Sequence, residues 1–430
     1  MKSFFVLIFL TIFSMVDAQT VITVDDALTT ALKNNYGILV AHNDAAISNA
    51  NNTLGNAGML PSVSLNGNSN YSLNNSTQKN STGTDTKYSG LSTKTIGANA
   101  ELIWTLFDGG KMFVTKSKLN EIAALGELQF KDMVLQTQYN VISAYFDIVR
   151  QKQQLNSINE IISYNTELVK ILQTAFNGGS TLKSNLLQAK IDLNVYMENS
   201  INQQYIIDAA KKNLNRILGS DIDSAFEVTD SIPLNYSFNK SELILKLDAT
   251  NTSILSFQKQ LEITKLNLKE YTRSRYPRIT FNAGYYFSQR SYSAGSILQN
   301  NTAGPQFGGT ISIPLYQSGD IQRQISIAKL DVESAGYDLE SIRLQAKTDL
   351  LNAITQFENQ QRLLTIEKEN NGLTKENLEI SLQRMKLGQT TSLEVHLAQE
   401  NYVQSCTRLI NFEYNLKMAE TKLRQLLASM

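Results

Sequence analysis

The sequence predicts a mainly α-helical fold with a β-barrel part, built from two tandem copies of one unit. Three observations predict it. Five prolines and 22 glycines in 430 residues are too few for a chain of many short strands, and long tracts contain neither, so long helices follow. The motif Leu106-Phe107-Asp108-Gly109-Gly110 returns 209 residues later as Leu315-Tyr316-Gln317-Ser318-Gly319. The same offset pairs Leu135-Gln136 with Leu344-Gln345, Ala144 with Ala353, Gln151 with Gln360, Gly179 with Gly388, Ala189 with Ala398, Leu214 with Leu423 and Leu218 with Leu427, the mark of an internal repeat. Ahead of each copy of the motif lie two segments in which apolar and polar residues alternate over roughly 9–11 positions, as in strands with one face in lipid.

The elements follow in order. Lys2, the apolar run Phe4 to Met15 and Val16-Asp17-Ala18 before Gln19 read as a secretory signal peptide over 1–18. No later segment reaches the roughly 20 apolar residues of a membrane-spanning helix, so a membrane would be crossed by strands. The first repeat, 19–219, has a helical lead-in (25–58), strands at 62–73 and 96–106 around an outer loop (74–94), and a helical hairpin (111–218) with its tip near 177–182. A link, 220–239, joins it to the second repeat, 240–430, with a lead-in (240–276), strands at 278–289 and 306–315 around a loop (290–305), and a hairpin (320–427) turning near 387–392. Pro61 and Pro277 stand 216 residues apart, so the register slips between the prolines and the glycine motif, where insertions mean loops.

Between Lys111 and Asn177 there is no proline and one interior glycine, Gly126. At about 1.5 Å per residue this helix would be on the order of 100 Å long. Leu155, Ile158, Ile162, Val169, Leu172 and Phe176 form one apolar stripe, and Ile161, Leu168 and Ala175 a second. Two stripes mean two neighbours, as in coiled coils packed side by side. Gly178-Gly179 and Gly388 interrupt the helical pattern, where glycine takes up the left-handed turn that ends a helix.

The strand segments alternate at Val63, Leu65, Gly67, Ser69, Tyr71, Leu73, then Ile96, Ala98, Ala100, Leu102, Trp104, Leu106. The second copy repeats this at Ile279, Phe281, Ala283, Tyr285, Phe287 and Phe307, Gly309, Ile311, Ile313, Leu315. Tyr71, Trp104, Tyr285 and Tyr316 are placed towards strand ends, as interfacial aromatics in contact with outer-membrane lipid. The same alternation would suit ordinary hairpins on an exported, soluble periplasmic or surface coiled-coil scaffold or adhesin. The Asn/Ser/Thr/Gly-rich tracts 74–93 and 291–304 favour the membrane, since long external loops of barrels have that composition. Four strands cannot close a barrel and lipid tolerates no open sheet edge, so several chains would share one, three or more if it encloses a channel.

Lys plus Arg equals Asp plus Glu at 39 each, which removes the basic footprint of a nucleic-acid binder. The lone Cys406 can form no internal disulfide. His42 and His396 lack metal-ligand spacing, and neither a phosphate-cradling glycine loop nor a nucleophile elbow occurs. The reading is of a protein without catalytic residues or cofactor.

Further markers are Val24-Asp25-Asp26-Ala27-Leu28 with Ala31-Leu32 and Asn34-Asn35, Leu60-Pro61-Ser62, Tyr276-Pro277-Arg278, Lys111 after the glycine turn, and Gly388-Gln389-Thr390-Thr391-Ser392-Leu393-Glu394-Val395 with Ala398-Gln399. In order, spacing and duplication they resemble the TolC family of outer-membrane efflux channels over essentially the whole mature chain. The resemblance implies a homotrimer in the Gram-negative outer membrane with a periplasmic extension. Its twelve strands would form one barrel, its helices a tapering periplasmic tunnel, and 220–239 part of an equatorial band. It implies a passive exit duct for drugs, toxic compounds or metal ions, or for proteins in type I secretion. A periplasmic adaptor (membrane fusion protein) would dock at the tips around Gly178, Gly179, Gly388, Gln389 and Thr390, backed by an inner-membrane pump of the RND or ABC type. Glu394 matches the first acid of the family's periplasmic constriction, where three carboxylates would favour cations. Leu397 replaces the second acid, Met385 and Thr390 replace a tyrosine and an arginine of the closing network, and Asn185 is the first-copy counterpart of Glu394.

Overall fold

The computed structural model describes residues 21–79, 81, 83 and 85–430; the signal-peptide reading lies outside them. The chain forms two compact units, one of residues up to 41, 131–251 and 345–430, the other of 42–130 and 252–344.

In the first unit, β1 (Val21–Ile22) pairs in parallel with β4 (Glu227–Val228), and α1 (Val24–Asn34) follows behind a capping box in which the Thr23 and Asp26 side chains bond each other's backbone N–H, an arrangement that satisfies two donors with no helical partner. Ala27 and Ala31 of α1 are buried with Val141, Tyr145, Ile148 and Val149 of α3 (Lys111–Asn177) and with Leu214 and Leu218 of α4 (Lys183–Leu218). The Tyr145 hydroxyl donates to the Ile22 carbonyl at 2.8 Å and accepts from the Thr229 N–H at 3.1 Å. It thereby fastens both strands of the small sheet to α3. The same unit holds α5 (Lys240–Thr250), the lower part of α7 (Asp320–Lys386) and α8 (Ser392–Leu426).

Each lead-in, expected as one helix, is broken at an asparagine. Asn35 ends α1 before α2 (Tyr36–Asn51), and Asn251 ends α5 before α6 (Thr252–Arg273). Both take an extended ψ, and each side chain donates to a carbonyl near the end of the second hairpin arm of its own repeat: Asn35 to Ile217 at 2.7 Å, Asn251 to Leu426 at 2.9 Å. The break exchanges helix continuity for a bond that locks lead-in to hairpin.

The second unit is built around one antiparallel sheet in the order β2 (Ser62–Lys79), β3 (Asp85–Asp108), β5 (Arg278–Tyr292), β6 (Gln299–Ser312). The strands outrun the expected spans. Residues 74–79 and 85–94, read as loop, continue the β2–β3 ladder past a bulge at Asn74/Ser76, and in the second copy strand replaces most of 290–305. At the sheet's base, Gly109 and Gly110 turn the chain at φ +74° and +78°, and the Asp108 carboxylate caps α3 by accepting the Met112 N–H. Gly126, the interior glycine of α3, lies so close to α2 that a Cβ there would stand 3.1 Å from Ser48. Buried Glu270 on α6 is held by Lys118 at 2.6 Å and the Thr115 hydroxyl at 2.6 Å, so this charge is paired rather than stranded.

Candidate functional site

Two places carry the residues singled out by sequence: the hairpin tips in one unit and the sheet in the other. At the first tip Gly179 takes φ +72°, its N–H bonds the Phe176 carbonyl at 3.0 Å, and Ser180 N–H bonds Ala175 at 2.8 Å. At the second, Gly388 takes φ +68°, its N–H bonds Met385 at 3.1 Å, and Gln389 N–H bonds Arg384 at 2.9 Å. These are the same paired end-of-helix bonds, which need a left-handed residue at one position. Gly178 is not that residue; its N–H continues the helix to Thr174.

The side chains on these matching frames differ. In the first copy the Asn185 amide donates to the Thr181 hydroxyl at 3.2 Å. In the second, the Thr390 hydroxyl donates to the Glu394 carboxylate. Thr391 caps α8 by accepting the Glu394 N–H at 3.3 Å, which puts the carboxylate in the first turn, where the helix dipole favours a negative charge. Arg384, which sequence reasoning passed over, lies 3.9 Å from Glu394 and also donates to the Gln389 carbonyl at 3.0 Å. Both charges are about half exposed, so the pair contributes under about 1 kcal/mol and leaves Glu394 open to solvent and ions. Leu182, Leu387 and Leu393 stand exposed around the tips, and so does Leu397.

Behind the tips Ile161, Leu168 and Leu172 of α3 are buried with Leu186 and Ala189 of α4, Leu378 and Leu382 of α7, and Val395, Ala398, Tyr402 and Cys406 of α8. Of the second predicted stripe of α3, Ile161 and Leu168 lie in this core; of the first, Leu172 lies in it, Val169 packs against it half-buried, Leu155, Ile158 and Ile162 are half-buried and Phe176 is exposed. Glu160 on α3 receives Lys375 of α7 at 2.8 Å and the Tyr402 hydroxyl at 2.9 Å. Partial burial pushes its carboxyl up, but the bonds from Lys375 and Tyr402 outweigh that and hold it below the ordinary glutamate value. Glu167 meets Lys386 at 3.0 Å. Buried Glu367 accepts from Ser405 at 2.8 Å and, with both its oxygens, from Nε and Nη2 of Arg408, tying α7 to α8. His396 sits between Asp192 of α4 at 3.4 Å and Glu400 at 3.5 Å. Along α7, Ile366, Leu373 and Ile380 are exposed at successive heptad positions, and Leu387 continues the row just past its end, an apolar seam ready for a facing helix.

Across the sheet the pairing sorts side chains into two faces. One carries the rows Val63–Leu102–Ala283–Phe307, Leu65–Ala100–Tyr285–Pro305 and Gly67–Ala98–Phe287–Ala303; the other carries Ser64–Glu101–Gly284–Gln306, Asn66–Asn99–Tyr286–Gly304 and Asn68–Gly97–Ser288–Thr302. The apolar face is bare, with Leu65 82% and Phe307 76% exposed. In water such a face would be strongly unfavourable; in hydrocarbon it is the expected outer surface of a barrel. Of the four predicted interfacial aromatics, Tyr71 lies opposite Lys94 at mid-strand, because β2 runs on to Lys79, and Trp104 lies near the base, donating to the Met59 carbonyl at 2.9 Å. Tyr285 is at mid-strand, because β5 runs on to Tyr292, and Tyr316 lies beyond the end of β6. Strands β2 and β6 are unpaired edges within the chain. Among the described residues no helix is long and apolar enough to cross a membrane.

The comparisons with known proteins agree with this geometry. The outer membrane efflux protein BepC of Brucella suis is 21% identical over 66% of this chain and 61% of its own length. The outer membrane protein TolC of Escherichia coli is 22% identical over 59% of this chain and 53% of its own. The matched stretches thus span about half the length of the curated relatives, between 44% and 61%. The outer membrane protein VceC of Vibrio cholerae shares the fold, with a TM-score of 0.76 at 16% identity, over 94% of this chain and 95% of that one. The pattern of the family described as outer membrane efflux protein is matched in two segments, 27–220 and 243–429, one per repeat. The chain therefore belongs to the outer membrane efflux protein family, a set of outer-membrane proteins with a periplasmic extension that are not enzymes.

Proposed function

We propose that this chain is one subunit of a homotrimeric exit duct of a tripartite efflux or type I secretion system. Three copies would pool their strands into one twelve-stranded barrel, β2 of each pairing with β6 of the next, and the helical hairpins would line a passage across the periplasm. The observation that carries this is the sheet itself: an exposed apolar face, a polar opposite face and two unpaired edges. Lipid covers the first, water fills the second, and only further copies satisfy the third. Four strands per chain are too few to enclose a channel, and twelve suffice. The exposed heptad seam on α7 supplies a helical contact for the same assembly. The chain supplies the passage and no energy, so a periplasmic adaptor docked at the leucine-rimmed tips and an inner-membrane pump would drive transport of small toxic molecules, metal ions or proteins.

Glu394 would form a ring of three carboxylates at the periplasmic mouth. Two tests follow from this. Detergent extraction of the full chain, mass determination of the intact particle and recording in a planar bilayer should give a conducting trimer; a water-soluble, non-conducting monomer or dimer overturns the reading. In the same recording Glu394→Ala should raise single-channel conductance or abolish block by multivalent cations, and unchanged behaviour would remove Glu394 from the mouth.

A further inference from the structure

In the middle of the polar face of the sheet one aromatic ring stands beside several glycines, with Glu101 and Arg290 on the same face. Tyr286 lies in a neighbourhood where the rows place glycine at 97, 284 and 304. Its ring is seated against Gly284: a Cβ there would stand 2.8 Å from the ring edge. The ring is thus seated before any ligand arrives, which lowers the ordering cost of binding.

Beside the ring is a hollow of about 460 Å³, floored by Gly304 and by the Asn68 amide lying over Gly97. Its walls carry the amides of Asn68, Asn99 and Gln306 and the hydroxyl of Thr302, and none of its lining residues is charged. A drug-like apolar ligand would want more hydrophobic wall, and an ion would want a charge. One rigid aromatic ring surrounded by planar amides, each both donor and acceptor, suits a ring with an apolar C–H face and a rim of hydroxyls. We propose that this hollow binds neutral polyhydroxylated ligands, oligosaccharides as a class, with a sugar ring laid on Tyr286 and its hydroxyls bonded to the surrounding amides.

The proposal rests on reading this face as the inside of the shared barrel, where a passing or blocking saccharide would meet it. The test is saturation-transfer NMR on the full chain in a sugar-free zwitterionic detergent, with maltohexaose as probe. Wild type should transfer saturation to the sugar, Tyr286→Ala should lose at least tenfold of it, and Tyr286→Trp should keep it. Gly304→Val fills the floor where an added Cβ meets nothing within 4 Å, so it should abolish transfer without disturbing the fold, whether or not the tyrosine variant assembles. Absence of transfer in wild type, or its retention in Gly304→Val, overturns the site. Bilayer conductance reports separately on the duct: a conducting protein with no sugar transfer loses only the site, and a non-conducting one that binds sugar loses only the duct.

Discussion

Gly219 in the first repeat and Ala428 in the second stand at the same point, just past the second arm of their hairpin, and both take the left-handed conformation, at φ +67° and +49°. Each leads into the same bonds, Ser220 N–H to Asn215 and Ser429 N–H to Arg424. Gly109 and Ser318 form a second such pair, at φ +74° and +50°. Ser318 and Ala428 are the only non-glycine residues with positive φ among those described, and each replaces a first-repeat glycine. The first repeat needs glycine for space as well as torsion: a Cβ at Gly219 would stand 2.5 Å from the Asn34 carbonyl, and one at Gly109 2.5 Å from the Tyr276 Cβ. The second repeat has the room and bears only the torsional cost. At the tips the contrast runs the other way, with equal backbone and Asn185 set against Glu394. The path of the chain is held in both repeats, while charge stands at only one of the two matching tip positions.

The sharpest way to break this comparison is Gly219→Ala. It should cost about 3 kcal/mol, strain and crowding together, and lower the thermal unfolding temperature by several degrees at fixed scan rate in detergent. A shift no larger than that of a surface substitution would end the argument for crowding. Next come Asn35→Ala and Asn251→Ala, each expected to cost about 1–3 kcal/mol by leaving a carbonyl at an arm's end without its partner. Hydrogen exchange at the ends of α4 and α8 should rise to a similar degree in the two variants; a strong asymmetry would show that the two joints are not equivalent. Ser318→Gly and Ala428→Gly should stabilise by about 1 kcal/mol each, because relief of left-handed strain exceeds the added chain entropy.

The smallest effect concerns acid. The Glu160 carboxyl is lowered in the folded chain, so its contribution is fully present above the ordinary value of 4.5 and is lost as pH falls through the folded value. Acid denaturation of wild type should therefore steepen below about pH 4.5, and Glu160→Gln should flatten that part of the curve. An unchanged curve would mean that Lys375 and Tyr402 do not hold this carboxylate in solution.

Much of the fold was legible because its landmarks are backbone requirements. The 209-residue offset and the tip glycines mark torsions that few other residues accept, and alternation marked the sheet's two faces. The far halves of β2 and β3 were not legible, since an Asn/Ser/Thr-rich tract has loop composition yet pairs across a hairpin when its neighbour has the same composition. The breaks at Asn35 and Asn251 were missed because one polar residue barely disturbs a helical pattern; the signal was an asparagine at matching points of the two repeats. At the candidate site, Glu394 and Thr390 could be named from the sequence. Arg384 could not, because its partners come from across the turn, and Tyr71 and Tyr285 were misplaced because their strands are longer than the alternation suggested.

The central ladder of the sheet joins β3 to β5, pairing Thr93 with Tyr292 and Asp108 with Arg278, so its two sides come from different repeats. Contacts so remote in sequence close late in folding. The first repeat alone can make only the β2–β3 hairpin, too little for independent stability, and the continuous greasy face does not exist until the last strands have emerged and docked. The apolar surface is thus withheld until the second repeat has been made and docked, a delay in time that protects against aggregation where the finished surface would not.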